Sequence, residues 1–214
     1  MENLNVFADQ GGYNTDKVDG KHNYLKVYND YFASIKDLEM KILEIGVGEG
    51  ESVRLWSDYF VNSEITAIDI VPEKKKYEIP GTRILIGSQS DSDFLVNTVV
   101  DGRKFNIVID DGSHKSDDII MSFLTLVHHM APGGIYVIED LHTIYEPGAG
   151  DAIDFLKGIV DDINFYGNMY KTESGAQFAD PIKYINQNSE TISTIETLVK
   201  SIHFYKSLAF ILMH

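Results

Sequence analysis

Residues 41–50, KILEIGVGEG, constrain the fold more than any other part of the chain. Ile42, Leu43 and Ile45 suit a strand buried on both faces of a parallel sheet, and Glu44 stands near its end. Gly46, Gly48 and Gly50 then recur at every second position, so the chain can turn sharply and a ligand can meet bare backbone. A helix must follow such a turn. Residues 52–60, SVRLWSDYF, supply one, with Val53, Trp56 and Phe60 spaced for a single apolar face. The spacing is G-x-G-x-G behind a glutamate, which differs from the G-x-G-x-x-G of dinucleotide-binding proteins.

A second apolar run, residues 65–70, carries Asp69 close to its end, where a carboxylate can accept hydrogen bonds from both ribose hydroxyls of an adenosine cofactor. Further strands are expected at Thr82–Ile86, 105–109 and 134–138, at the intervals of a doubly wound sheet. An amphipathic helix is expected over 117–130, with Pro132-Gly133-Gly134 turning the chain into the fifth strand. Residues 201–205 and Leu208–Met213 flank Lys206-Ser207 as an antiparallel hairpin. The expected fold is α/β and Rossmann-like: a mostly parallel seven-stranded sheet with a C-terminal antiparallel hairpin and helices on both faces. The glycine spacing and the closing hairpin together resemble class I S-adenosylmethionine (SAM) methyltransferases. Two parts fall outside the strand pattern. Residues 1–40, rich in tyrosine, are expected as helical cover over the active site of a 41–214 SAM-binding domain. A glycine-bearing segment at about 145–181 is expected as a lid.

A net charge of −15 argues against nucleic acid as a partner, since a phosphate backbone requires a basic surface. There is no cysteine, hence no disulfide framework and no thiolate metal site. No stretch approaches the ~18 unbroken apolar residues of a membrane span. The first ten residues carry neither a basic nor an apolar signal region, so a cytoplasmic location is expected. Of 18 basic residues only Arg54, Arg83 and Arg103 are arginine, and alanine is scarce, a composition suggestive of an AT-rich bacterium.

Ligands of open parallel sheets bind beyond the carboxyl ends of the strands. Those ends carry Glu44, Gly46, Gly48 and Ser52; then Asp69; then Ser88 and Gln89 in a polar turn suited to an adenine edge. The fourth strand ends in Asp110-Asp111-Gly112-Ser113-His114 and the fifth in Glu139-Asp140-Leu141-His142. Carboxylates converging on neighbouring strands repel one another unless a cation sits among them. Hard oxygen donors favour magnesium, calcium or manganese over zinc, and Asp111, Glu139 and Asp140 are the expected ligands. The blander reading is that Asp110 and Asp111 cap a helix and Glu139 and Asp140 pair with surface lysines. His114, three residues past Asp111, is the expected general base: a divalent ion would orient and acidify an acceptor hydroxyl, and the imidazole would take its proton as the oxygen attacks the sulfonium methyl.

LEIGVGEGES, GSQSD, VIDDGSH, PGGIYVIEDLHTIYEP and the N-terminal NTDK with its following His-Asn-Tyr resemble the bacterial metal-dependent sugar O-methyltransferases of antibiotic glycosides, such as the mycinamicin, macrocin and novobiocin enzymes. The resemblance implies SAM and Mg2+ as cofactors, metal ligands at Asp111, Glu139 and Asp140, and His114 as base. It implies SAM contacts at Glu44, Gly46, Asp69, Gln89 and Asp110. Thr15, Asp16, Lys17, His22 and Tyr24 would close over cofactor or acceptor, with Thr15 and Lys17 on the cofactor side and Tyr24, His142 and Tyr145 toward the acceptor. Tyr24, Tyr28 and Tyr31 also have helical spacing, which a core helix would explain equally.

The chain shows no long N-terminal extension of the kind that helps some of those enzymes assemble, so their contacts do not carry over, although analogy still favours a homo-oligomer. Composition leans toward a capsular or surface-polysaccharide sugar, free or nucleotide-linked, as the small-molecule acceptor. A macrolide glycoside, a catechol-type acceptor and a non-catalytic SAM-binding domain are the alternatives.

Overall fold

The computed structural model describes residues 3–146, 150–164 and 194–214. Two helices lead, α1 (Leu4–Gly11) and α2 (Tyr24–Phe32), before β1 (Lys41–Ile45), α3 (Glu51–Tyr59), β2 (Glu64–Asp69) and β3 (Thr82–Ile86). Then come β4 (Phe105–Asp110), α4 (Ser116–Leu126), β5 (Met130–Ile138), α5 (Ala152–Asn164), β6 (Val199–Tyr205) and β7 (Leu208–Met213). The strands form one seven-stranded sheet in the order β3-β2-β1-β4-β5-β7-β6. Pairings from β3 to β5 are parallel, and the β6–β7 hairpin joins antiparallel against β5. That is the architecture expected of a class I methyltransferase. Most of the expected lid, and the connection from α5 to residue 194, lie outside the described residues. No helix among the described residues is long and apolar enough to cross a membrane.

Alternation along the strands divides the core into two layers. Leu43, Ile45, Val108, Tyr136 and Ile138 face α4 and α5. Ile42, Ile107, Ile109, Ile135 and Val137 face the other way, under α1, α2 and α3. The N-terminal helices therefore complete a core layer: Tyr28 and Phe32 pack their rings against Trp56 and Phe210. Burying such rings, each worth about 1.5–3 kcal/mol or more by area, holds residues 4–32 on the sheet.

Two boundaries differ from the expectation by four residues. The helix expected over 117–130 ends at Leu126 and continues as a short 3-10 turn, Val127–His129. Pro132-Gly133-Gly134 lies inside β5, where the register jumps from Phe105 opposite Met130 to Ile107 opposite Ile135. Residues 131–134 thus bulge opposite Asn106 alone, because proline has no N–H for the ladder and Gly133 takes a φ of 71°. The Gly133 N–H is satisfied instead by the carbonyl of His214, at 2.8 Å.

Candidate active site

The parallel ladder runs past the strand ends and aligns their loops on one rim. Gly46 N–H donates to Ile68 O (2.8 Å), Asp111 N–H to Ile45 O (2.9 Å) and Glu139 N–H to Asp110 O (2.9 Å). Gly46 has a φ of 93°, and a Cβ there would stand 2.0 Å from the carbonyl oxygen of Asp111, so only glycine lets the first loop pass the fourth. A Cβ on Gly48, at φ 53°, would meet no protein atom within 4 Å, so that residue lays bare backbone along open space.

Beside this loop lies a cavity of about 150 Å3 lined by Gly46, Asp69, Ser88, Gln89, Gly112 and Asp118, among others. That is below the ~300 Å3 at which sites for drug-sized ligands begin, so it suits one portion of a ligand whose remainder follows the glycine loop. Asp69 is anchored by accepting from Val47 N–H (3.0 Å) and Val71 N–H (2.8 Å). Asp110 is buried behind the cavity, accepting from Gln89 Nε2 (3.0 Å), Ser122 Oγ (2.6 Å) and Tyr136 OH (3.4 Å). Burial pushes its carboxyl up to about 6. Gln89 Oε1 in turn accepts from Ser113 N–H (2.7 Å), which ties the third strand's loop to the fourth's. Asp110 thus serves the cavity wall through Gln89.

Glu44, by alternation, faces the same layer as Ile42. It is fully buried; Trp56 Nε1 donates to Oε1 (3.1 Å), and Oε2 has no hydrogen-bond partner among the described residues. Burial pushes its carboxyl up to about 7, against the pull of the Lys17 ammonium. A carboxyl raised in the folded state stabilises fully below its unfolded value, and that contribution is lost as the pH climbs through the folded value. Stability is therefore expected to drop by an amount on the order of 3 kcal/mol between the ordinary 4.5 and about 7, and Glu44→Gln should remove that component. Thermal melts of both proteins from pH 4 to 8 check this; parallel curves would contradict it.

The carboxylates of the fourth and fifth strands do converge, around a lysine. Lys17 Nζ, fully buried, lies 2.5 Å from Asp111 Oδ2 and 2.9 Å from Glu139 Oε1. Tyr28 OH donates to Glu139 Oε1 at 2.6 Å. Burial alone would push the Lys17 ammonium down, but Asp111, Glu139 and Glu44 outweigh it and keep it charged. Lys17, expected on the cofactor side, thus sits between two expected metal ligands. Its neighbour Thr15 is buried where Asn14 N–H donates to Glu51 Oε2 (2.9 Å) at the start of α3. Ser52 is buried on the first turn of that helix.

Asp140 has a different setting. Tyr24 OH donates to its Oδ1 at 2.6 Å, and three imidazoles surround it: His22 at 3.6 Å, His114 at 3.7 Å and His142 at 3.9 Å. Asp111, His114 and Asp140 each place a donor atom within 4.8 Å of the others, an oxygen-rich set that fits a hard divalent cation. Glu139 adjoins this set but directs both oxygens at Lys17 and Tyr28. Tyr24, His142 and Tyr145, the expected acceptor contacts, all line a second cavity of about 980 Å3.

Backbone strain gathers at this cluster. Five non-glycine residues among those described have positive φ, and Asn23, His114, Asp140 and Ser207 are four of them. Each such residue costs on the order of 1 kcal/mol and persists only where its surroundings hold it. Ser207 was legible only as a hairpin turn, yet its Oγ bonds His142 Nδ1 at 2.5 Å and accepts from His142 N–H at 3.0 Å. Tyr28, Ser122 and Tyr136 likewise carry no motif; their roles as partners of Glu139 and Asp110 come from packing alone.

No protein-family model matches the chain. It is 31% identical over 207 residues to the 8-demethyl-8-α-L-rhamnosyl tetracenomycin-C 2'-O-methyltransferase of Streptomyces olivaceus, covering 90% of this chain and 50% of that protein. It is 34% identical over 168 residues to the mycinamicin VI 2''-O-methyltransferase of Micromonospora griseorubida, covering 71% and 42%, and 30% identical over 206 residues to the demethylmacrocin O-methyltransferase of Streptomyces fradiae, covering 93% and 50%. The chain therefore spans about half the length of the curated relatives it matches. Among solved structures, the MycE methyltransferase of the mycinamycin pathway, in complex with Mg, SAH and mycinamycin VI, superposes with a TM-score of 0.79 at 28% identity, over 100% of this chain and 55% of that one.

Proposed function

Because the chain is a homologue, across about half their length, of sugar O-methyltransferases of antibiotic glycosides, we propose that it transfers the methyl group of SAM to a sugar hydroxyl of a small-molecule glycoside, assisted by a divalent cation. The observation that carries this reading is the union on one rim of a glycine loop with bare backbone and the Asp111–His114–Asp140 cluster, whose neighbours Tyr24 and His142 line a large cavity. Residues favouring SAM are Gly46, Asp69, Ser88 and Gln89 around the small cavity, with Gly48 and Ser52 on the adjoining loop and helix start; Asp69 suits a ribose diol and the Gln89 wall an adenine edge. Asp111 and Asp140 would hold Mg2+ or a similar ion, with Glu139 beside them. When bound, that ion supplies positive charge that orients the acceptor hydroxyl and makes it more acidic.

The chain's own groups do the remaining work in this reading. His114 accepts the hydroxyl proton at its imidazole, and Asp140 and Asp111 stabilise the imidazolium that results. Tyr24 holds Asp140 in place through its hydroxyl. Ser207 fixes the His142 ring, so that the imidazole presents an ordered edge to the acceptor. The named relatives act on antibiotic glycosides, and none of them supports the expectation of a capsular or surface polysaccharide.

Calorimetric titration with S-adenosylhomocysteine, with and without Mg2+ and with NADH as control, tests the cofactor class. Micromolar binding of the nucleoside and none of NADH is the expected result; the reverse pattern, or no binding, overturns the proposal.

A further inference from the structure

The 980 Å3 cavity differs in charge from the rest of the molecule. The chain holds 33 acidic residues against 18 basic ones, yet the described residues lining the cavity include Lys21, Lys157 and Lys206 with His22 and His142, and no carboxylate. Lys157 is offset by Asp154, 2.8 Å away. Lys21 is held only by neutral oxygens, Asn14 Oδ1 at 3.1 Å and Thr15 O at 3.3 Å. Lys206, at the tip of the β6–β7 hairpin, has no acidic partner among the described residues. Among the described residues, therefore, no carboxylate offsets these two ammonium groups at the cavity.

The same cavity holds exposed aromatic area. Tyr145 is 77% exposed, Phe204 45% and Tyr205 40%, although large apolar side chains are otherwise mostly buried. Tyr205 is fixed by its hydroxyl contact with Tyr31, at 2.8 Å. Aromatic faces left open to water beside unpaired cations form a surface on which a planar base can stack while phosphates meet the lysines. At the inner end, Tyr24 and His142 adjoin Asp140, which is where a reacting sugar hydroxyl belongs.

Resting on the methyltransferase reading, we propose that the acceptor is a sugar carried on a nucleoside diphosphate, with the sugar at the Asp140 end, the phosphates at Lys21 and Lys206, and the base on the aromatic side chains. A neutral glycoside would leave both ammonium groups unmet, which distinguishes this acceptor from an uncharged macrolide sugar.

The test is calorimetry on the full chain with S-adenosylhomocysteine and Mg2+ present, using UDP-, dTDP- and GDP-sugars, inorganic pyrophosphate, free glucuronate and a neutral methyl glycoside. At least one nucleotide sugar is expected to bind, pyrophosphate to compete with it, and Lys206→Glu and Lys21→Glu each to weaken it at least about tenfold while homocysteine-nucleoside affinity is unchanged. Glucuronate binding without competition by pyrophosphate would place the anion on the sugar and overturn the nucleotide assignment. So would silence from every nucleotide sugar, binding of the neutral glycoside alone, or charge reversal without effect. Failure of S-adenosylhomocysteine itself to bind would instead bring down the methyltransferase reading, and this inference with it.

Discussion

Lys17→Met is expected to lower the free energy of unfolding by about 3–5 kcal/mol, the penalty for removing one partner of a buried ion pair. Lys17 and Glu139 are 0% and 1% exposed, so neither charge is shielded by water. Methionine keeps most of the volume and removes the ammonium, so cavity formation contributes little. What remains is Glu139, whose carboxyl burial already pushes well above its ordinary range and which Lys17 now helps to keep ionised. Tyr28 alone cannot replace the lost charge. Urea unfolding at pH 7 measures the loss, and adding Glu139→Gln to the same chain should recover a large part of it, because the buried carboxyl that must then stay charged or take up a proton goes too. A loss below about 1 kcal/mol would mean that the lysine is not the counter-charge of this cluster, whereas a full loss without recovery in the double variant would make Asp111, 2.5 Å from the ammonium, its main partner.

His114→Asn is expected to reduce turnover by about 10²–10⁴-fold, the usual contribution of a positioned general base. Asparagine tolerates the left-handed backbone that His114 adopts at φ 58°, so the loop is kept while the imidazole is lost. If the imidazole acts as base, affinities for S-adenosylhomocysteine and for Mn2+ followed by electron paramagnetic resonance stay the same, and added imidazole restores part of the rate. The geometry also sets up the contrary outcome. His114 Nε2 lies 3.7 Å from Asp140 Oδ2 and 4.0 Å from Asp111 Oδ1, near enough to act as a third donor. A parallel loss of Mn2+ affinity, with activity recovered by excess metal, would make His114 a ligand and leave the base to another group.

Lys17 and His114 also show how far sequence carried the reading and where it stopped. The glycine loop, the strand ends, the hairpin and the D-D-G-S-H run are local patterns, and His114 was visible because it lies three residues from Asp111. Lys17 is 94 residues from Asp111 and 122 from Glu139, and nothing in NTDK signals that its ammonium will be enclosed by those carboxylates. Gln89 and Asp110 were both legible as strand-end residues, but their mutual hydrogen bond, which turns Asp110 into support for the cavity wall, was not. The β5 boundary was misplaced for a related reason: Pro-Gly-Gly punctuation ordinarily ends an element, and only pairing with β4 and the contact to His214 keep the chain in the sheet.

By itself the sequence determined the order of strands and helices along the chain and which loops would follow the carboxyl ends of the strands, because period, glycine placement and strand polarity act over a few residues. The tertiary structure alone decided which distant side chains share that rim: Lys17 between Asp111 and Glu139, Tyr24 and three histidines around Asp140, and Ser207 behind His142. Those contacts arise from how two core layers bring the N-terminal helices and the C-terminal hairpin to the same end of the sheet, a long-range outcome of packing that no local spacing encodes.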